Sequence, residues 1–181
     1  LEMASEEGLS GDESKLRELM DEQRARAKAD SRAKKGGTVS TEAYTQLRSK
    51  GETQFRGYTA LEVPTRVRGI VSEGVAVARV EPGQQAEIIL EETPFYAEAG
   101  GQTADTGVIR TPDGELEVLD VQRPVPGLTV HKVRVSSPLE VGADVLAEVD
   151  AAHRRAACQA HSATHLLQAS LRELVGPTAT Q

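Results

Sequence analysis

Two histidines, His161 and His165, stand four residues apart in the run H-S-A-T-H-L-L-Q. In an α-helix, residues four apart differ by about 40° around the axis and about 6 Å along it, so both imidazoles can reach one metal ion. Zinc takes imidazole nitrogens at about 2.0–2.1 Å, and a pair at this spacing is a frequent half of its coordination sphere. Ser162 follows His161 where H-E-x-x-H would need a glutamate base, so peptidase chemistry is not indicated. Cys158 falls on the same side of the helix, but the rise of about 10.5 Å to His165 is too long for one tetrahedral ion. It is expected to be a small packed residue. His131 and His153 have no partner at ligand spacing and read as ordinary surface or strand residues. Spacing alone leaves two readings of His161 and His165 open: a metal-binding pair, or two imidazoles on a solvated helix face.

A second segment with chemical potential is T-P-F-Y-A-E-A-G-G-Q-T-A-D-T-G, from Thr93 to Gly107. Gly100 and Gly101 allow positive φ and close approach of another chain, which suits a tight bend or a substrate lying against the main chain. Gln102 can orient a ligand or bond the loop to itself. Phe95 and Tyr96 read as core and rim rather than as a platform for stacked bases.

The elements that would carry these residues follow from periodicity. From Asp150 the chain runs 25 residues without Gly or Pro, to Gly176-Pro177. This is a long helix with Asp150 as N-cap and the Gly-Pro pair as stop. Ala163, Leu166, Leu167, Ser170, Leu171 and Leu174 form a stripe expected to pack on a core, with the histidines on the far side. Between Phe55 and Asp150, β-branched stretches at Val67 to Val80, Ala86 to Leu90, Leu116 to Val121, Leu128 to Val135 and Val145 to Val149 alternate with Pro and Gly turn signals. Such a pattern predicts a small antiparallel barrel or sandwich, with Asp113-Gly114 as its clearest hairpin turn. From Leu1 to about Lys50 the chain is polar and reads as helical, Asp12-Glu13-Ser14 capping a helix with Leu16, Leu19 and Met20 on one face. The run Q-R-A-R-A-K-A-D-S-R-A-K-K that follows carries six basic residues against one acidic. It reads as a solvated helix or linker, with a tRNA-backbone contact as the alternative.

Bulk properties narrow the classes. The 181 residues are 38% apolar but only 3% aromatic, so a core must be aliphatic. One cysteine forms no internal disulfide, no apolar run is long enough for a bilayer, and the start L-E-M-A-S-E-E is no signal peptide, so a cytoplasmic setting is expected. A net charge of -7 argues against a protein that coats nucleic acid, and neither DNA nor membrane is an expected partner. Because the chain opens on Leu1 and stops at T-A-T-Q, it reads as a piece of something longer.

The glycine-rich segment, followed about 55 residues later by H-S-A-T-H-L-L-Q-A-S-L-R-E-L-V-G, resembles the editing region of the alanyl-tRNA synthetase family. L-R-E-L-M-D-E-Q-R-A-R-A-K-A resembles the helical segment before it, so the resemblance covers nearly the whole chain. It implies a zinc ion held by His161 and His165, with a Cys and a His from a C-x-x-x-H segment beyond Gln181. It also places a pocket glutamine at Gln181, a discriminating hydroxyl at Thr93, and a substrate-binding loop at Gly100, Gly101 and Gln102. The implied reaction is hydrolysis of the ester in Ser-tRNA(Ala) and Gly-tRNA(Ala), because an alanine pocket cannot strongly reject serine or glycine by binding alone. By the same resemblance, alanine attachment to tRNA(Ala) with ATP and Mg2+ belongs to a catalytic domain absent from this chain.

The expected fold class is α+β: an N-terminal helical segment (1–50), a small antiparallel β-barrel (51–149), and the first helix of a zinc-binding α+β editing subdomain (150–181). Two alternatives to an editing region of the synthetase stand beside it. One is a free-standing trans-editing deacylase; the other is a non-catalytic barrel and helix that binds RNA or a partner.

Overall fold

Alternation of inward aliphatic and outward polar residues builds the centre of the molecule. In the computed structural model, which describes residues 41–176, helix α1 (Thr41–Ser49) precedes eleven strands and a long helix, α2 (Ala151–Val175). Gln181 and the basic run lie outside the described residues, as do the proposed cap at Asp12-Glu13-Ser14 and its apolar face. The strands are β1 (Gln54–Phe55), β2 (Glu62–Ser72), β3 (Val75–Val77), β4 (Arg79–Val80), β5 (Gln85–Leu90), β6 (Glu92–Thr93), β7 (Gly107–Thr111), β8 (Gly114–Val125), β9 (Leu128–Arg134), β10 (Leu139–Glu140) and β11 (Asp144–Val149).

The order β11-β7-β8-β9-β5-β2, closed by a β11–β2 pairing, makes a six-stranded antiparallel barrel, so the class is mixed α+β. Closure leaves each of the six strands with a partner on both sides, which removes the free edges that would invite aggregation. Ile70, Ala86, Ile88, Leu90, Ile109, Val118, Val133 and Ala147 fill the interior. Their neighbours Val71 and Ile89 point outward and are buried too, because Ala43, Tyr44 and Leu47 of α1 cover them together with Leu128 and Val130. Full burial of such side chains is worth about 1.5–3 kcal/mol each, which fastens α1 to the barrel wall. The Tyr44 hydroxyl bonds the Glu87 carboxylate, and burial with that negative charge pushes the phenol well above its usual range.

Details of the strands depart from the sequence pattern at turns. The stretch Val67 to Val80 is not one strand: β2 starts earlier and turns at Glu73-Gly74, both with positive φ, into β3. Two consecutive positive φ values match the twist of a two-residue hairpin. At the other hairpin Thr111 pairs with Gly114, so Pro112 and Asp113 form the tip and Gly114 opens β8. The fixed φ of proline sets it at the first central position of the turn, one residue earlier than the Asp-Gly signal suggested.

Helix α2 begins where expected: Asp150 accepts hydrogen bonds from the N–H groups of Ala152 (2.8 Å) and His153 (3.0 Å). These bonds hold the Asp150 carboxyl below its ordinary range. The helix ends at Gly176. None of its residues is buried, and Leu166, Leu167, Leu171 and Leu174 are all exposed. The expected packing of that leucine face is absent among the described residues. Cys158 is also exposed rather than packed, since it rises past the barrel on an unburied helix.

Candidate active site

The glycine-rich segment follows β5 of the barrel, starts at β6, which pairs with β1, and rejoins the barrel at β7 as a narrow hairpin-like excursion. Its base is tied by Asp105 N–H to the Tyr96 carbonyl (3.0 Å), and its tip by Gln102 N–H to the Ala99 carbonyl (3.1 Å). Gly100 and Gly101 occupy the two central positions with φ of 61° and 81°, conformations in which a Cβ is strained. A Cβ at either would meet nothing, so the tip is an open ledge of main chain. Gln102 is half-buried beside it.

Three links fasten the foot of α2 to this excursion. Asp150 N–H donates to the Thr106 carbonyl (2.9 Å), and His153 Nε2 lies 3.1 Å from the Ala104 carbonyl. Arg154 is the strongest. Its Nε donates to Asp105 Oδ1 at 2.8 Å, its Nη2 to Asp105 Oδ2, its Nη1 to the Gly57 carbonyl at 2.8 Å, and its Nη2 also to the Pro94 carbonyl at 2.8 Å. Asp105 is 1% exposed and also accepts the Tyr96 N–H at 2.6 Å. The hydrogen bonds to Asp105, larger than the opposing cost of burial, raise the Arg154 guanidinium above its ordinary value. Gly57 fits only without a side chain, because a Cβ would sit 2.3 Å from the Pro94 carbonyl oxygen.

His161 and His165 lie on the same helix. Positions seven and eleven residues beyond Arg154 return to within about 20° of its direction, about 10.5 and 16.5 Å further along the axis. The histidines therefore continue the side of α2 that is clamped to the barrel, and the exposed leucines take the opposite side. Their Nε2 atoms are 3.1 Å apart and the ring centroids 4.6 Å apart. Two nitrogens on one tetrahedral zinc at about 2.05 Å stand about 3.3 Å apart, so the separation suits either a shared ion or the hydrogen bond between the two rings. No group of three or more metal-ligating side chains occurs among the described residues. The pair thus fits half of a tetrahedral site.

Thr93 is not in the barrel wall but in β6, which pairs with β1 outside the six barrel strands, and it is fully buried. His131 shares its enclosure: the ring is buried in β9, not on the surface, and packs edge-to-face on Phe95 at 5.4 Å. His131 Nδ1 lies 2.8 Å from the Ile88 carbonyl, which only accepts, so Nδ1 carries the proton. The Thr93 hydroxyl then donates to Nε2 at 2.7 Å and accepts the Phe95 N–H at 3.1 Å. Burial, partly opposed by the Ile88 bond, pushes the imidazole down to about 4. Both hydrogen-bonding sites of Thr93 used here point into the protein, fixing the start of the glycine-rich segment. Phe95 is core and Tyr96 half-exposed rim.

Sequence reasoning had singled out neither Asp105 nor Arg154. A signal existed: an arginine in the first turn of a helix opposes the macrodipole, and the first turn of α2 holds no acidic residue. A cation so placed needs a tertiary partner.

A barrel whose loop is clamped to a histidine-bearing helix is matched by known proteins over its length. Residues 1–153 match the model of the family described as tRNA synthetases class II (A), and the chain belongs to that family. The match stops short of His161. Among individual proteins, the alanine–tRNA ligase of Cutibacterium acnes is 60% identical over 181 residues, which is 100% of this chain and 20% of that protein. Those of Paenarthrobacter aurescens and Renibacterium salmoninarum are 55% and 50% identical, again over 100% of this chain. The chain spans about a fifth of the length of these relatives. No helix among the described residues is long and apolar enough to cross a membrane.

Proposed function

We propose that this chain is an editing region of an alanine–tRNA ligase, hydrolysing the ester that joins serine or glycine to tRNA(Ala). The observation that carries the reading is the histidine pair, with Nε2 atoms 3.1 Å apart on the clamped side of α2. His161 and His165 would hold zinc through these nitrogens, with two further ligands from elsewhere in the same protein. When bound, zinc supplies positive charge that activates a water or binds the amino group and hydroxyl of the substrate. The Gly100–Gly101 ledge leaves main chain open to the substrate, Gln102 flanks it, and Gln181 contributes an amide to the pocket. Thr93 acts on discrimination from behind, since its hydroxyl holds the Phe95 main chain that leads into the ledge. Attachment of alanine, with ATP and Mg2+, belongs to another part of the ligase, and the setting is cytoplasmic.

The test uses the whole ligase containing this region. About one zinc per editing site is expected by metal analysis, with serine release from Ser-tRNA(Ala). Both are lost in His161→Ala and His165→Ala, while alanine attachment persists. Full metal content and undiminished serine release in the double variant would refute the reading. Unchanged release by Gln181→Ala would remove that residue from the pocket.

A further inference from the structure

Helix α2 meets the barrel without a core of its own. None of its 25 residues is buried, so side-chain packing does not set its direction. A surface helix ordinarily takes its orientation from an apolar face pressed on a core. Here the links to Thr106, Ala104, Asp105, Gly57 and Pro94 are polar, and residues 150–154 at the foot of the helix make them.

Asp105 is where these bonds converge. Its carboxylate accepts the Tyr96 N–H at 2.6 Å, and its own N–H donates to the Tyr96 carbonyl at 3.0 Å. The two stems of the glycine-rich excursion are thereby locked to each other on either side of the Gly100–Gly101 tip. The same carboxylate takes Arg154, whose Nε donates to Oδ1 at 2.8 Å. One group, 1% exposed, thus touches both the stems of the ledge and the helix that bears His161 and His165. Closure of the barrel uses none of these bonds, because its six strands pair with one another.

The shape of the guanidinium matters as much as its charge. Arg154 meets Asp105, the Gly57 carbonyl and the Pro94 carbonyl from separate nitrogens, the two carbonyls at 2.8 Å each. A lysine ammonium is a single point and cannot span acceptors so arranged. We propose that Arg154 is a positioning residue for the ester hydrolysis: its fork on Asp105 fixes the glycine ledge and the histidine pair relative to each other. The link to hydrolysis rests on the editing reading; the coupling of ledge to helix does not.

The test compares the whole ligase with its Arg154→Lys and Asp105→Asn variants. Asparagine is isosteric but offers one acceptor where aspartate offers two, so it carries the test if Arg154→Lys does not fold. In both variants zinc content and alanine attachment match the parent. Serine release from Ser-tRNA(Ala) falls about 100-fold in kcat with KM within about twofold, as misplaced reacting groups rather than lost binding require. Hydrogen–deuterium exchange adds a readout without substrate. Peptides covering residues 96–106 exchange about 10- to 150-fold faster, the span set by loss of one charge-assisted hydrogen bond, while β5 and β9 stay protected over the same interval. Parental kcat, a loss confined to KM, loss of zinc, or equal acceleration in β5 and β9 would each overturn the positioning role. Unchanged exchange at 96–106 would overturn the coupling itself. A parent ligase that releases no serine, with variants that still exchange faster at 96–106, would sink the editing reading and leave the coupling. Full serine release by both variants would sink the positioning role and leave the editing reading.

Discussion

Acidification should destabilise this barrel through one residue. His131 is completely buried as the neutral Nδ1–H form, and its imidazole lies at about 4 rather than the ordinary 6.5. Below 6.5 the unfolded chain takes up a proton that the native chain refuses. The stability contribution is therefore complete above 6.5 and is lost as pH falls, until near 4 the native form protonates as well. Across that window the shift corresponds to about 3 kcal/mol, most of it lost between pH 7 and pH 4.5. Urea unfolding at a series of pH values reads this loss directly. His131→Gln is the control, because its amide can donate to Ile88 and accept from Thr93 without titrating. Carboxylates such as Asp150 contribute equally to both proteins and cancel. Stability curves for parent and variant that run parallel to within about 0.5 kcal/mol would refute the assignment. So would an NMR titration of the His131 ring with its inflection near the ordinary value.

The neighbouring hydroxyl gives a second expectation. Thr93→Val leaves the Phe95 N–H and His131 Nε2 without their partner and should cost about 1–3 kcal/mol in denaturant unfolding, whereas Thr93→Ser should cost less. Asp105→Ala strands the Arg154 guanidinium, only 15% exposed, and should cost about 3–5 kcal/mol by the same measurement. An Arg154→Met, Asp105→Leu double variant that is no more stable than Asp105→Ala would show that the stranded charge is not the cause.

Elements with a strong period were legible. The cap at Asp150, the run to Val175 and the stop at Gly176 follow from local chemistry, and aliphatic alternation located most barrel strands. His131 could have been placed too: in L-T-V-H-K-V-R-V it shares a face with Val133 and Val135, both buried. Weighing it for ligand spacing obscured that register. The strand β7, G-V-I-R-T, was legible only through the hairpin turn that follows it, because its five residues lie between a loop and a proline turn and show little alternation. Asp105 and Arg154 are separated by 49 residues, and no local pattern can announce a pair formed by tertiary contact. The leucine stripe of α2 shows the opposite limit. Amphipathic spacing states that a face is apolar, not which surface will cover it.

The clamp gives the two chemical segments a mechanical relation. The glycine ledge and the histidine pair lie on different elements, and the links at Thr106, Ala104 and Asp105 are all made by residues 150 to 154. From Arg154 to His165 the lever is about 16.5 Å, so a tilt of about 5° at the clamp would move His165 by about 1.4 Å. A displacement of about 1 Å in a reacting group can cost about 100-fold in rate. On the proposed editing reading, placing the histidines calls for a joint stiffer than one exposed ion pair, whose worth is typically under about 1 kcal/mol. A carboxylate 1% exposed, holding a guanidinium that also binds two carbonyls, meets that requirement. Because the same guanidinium holds the Gly57 carbonyl, the turn that follows Phe55 is fastened to the same joint as α2.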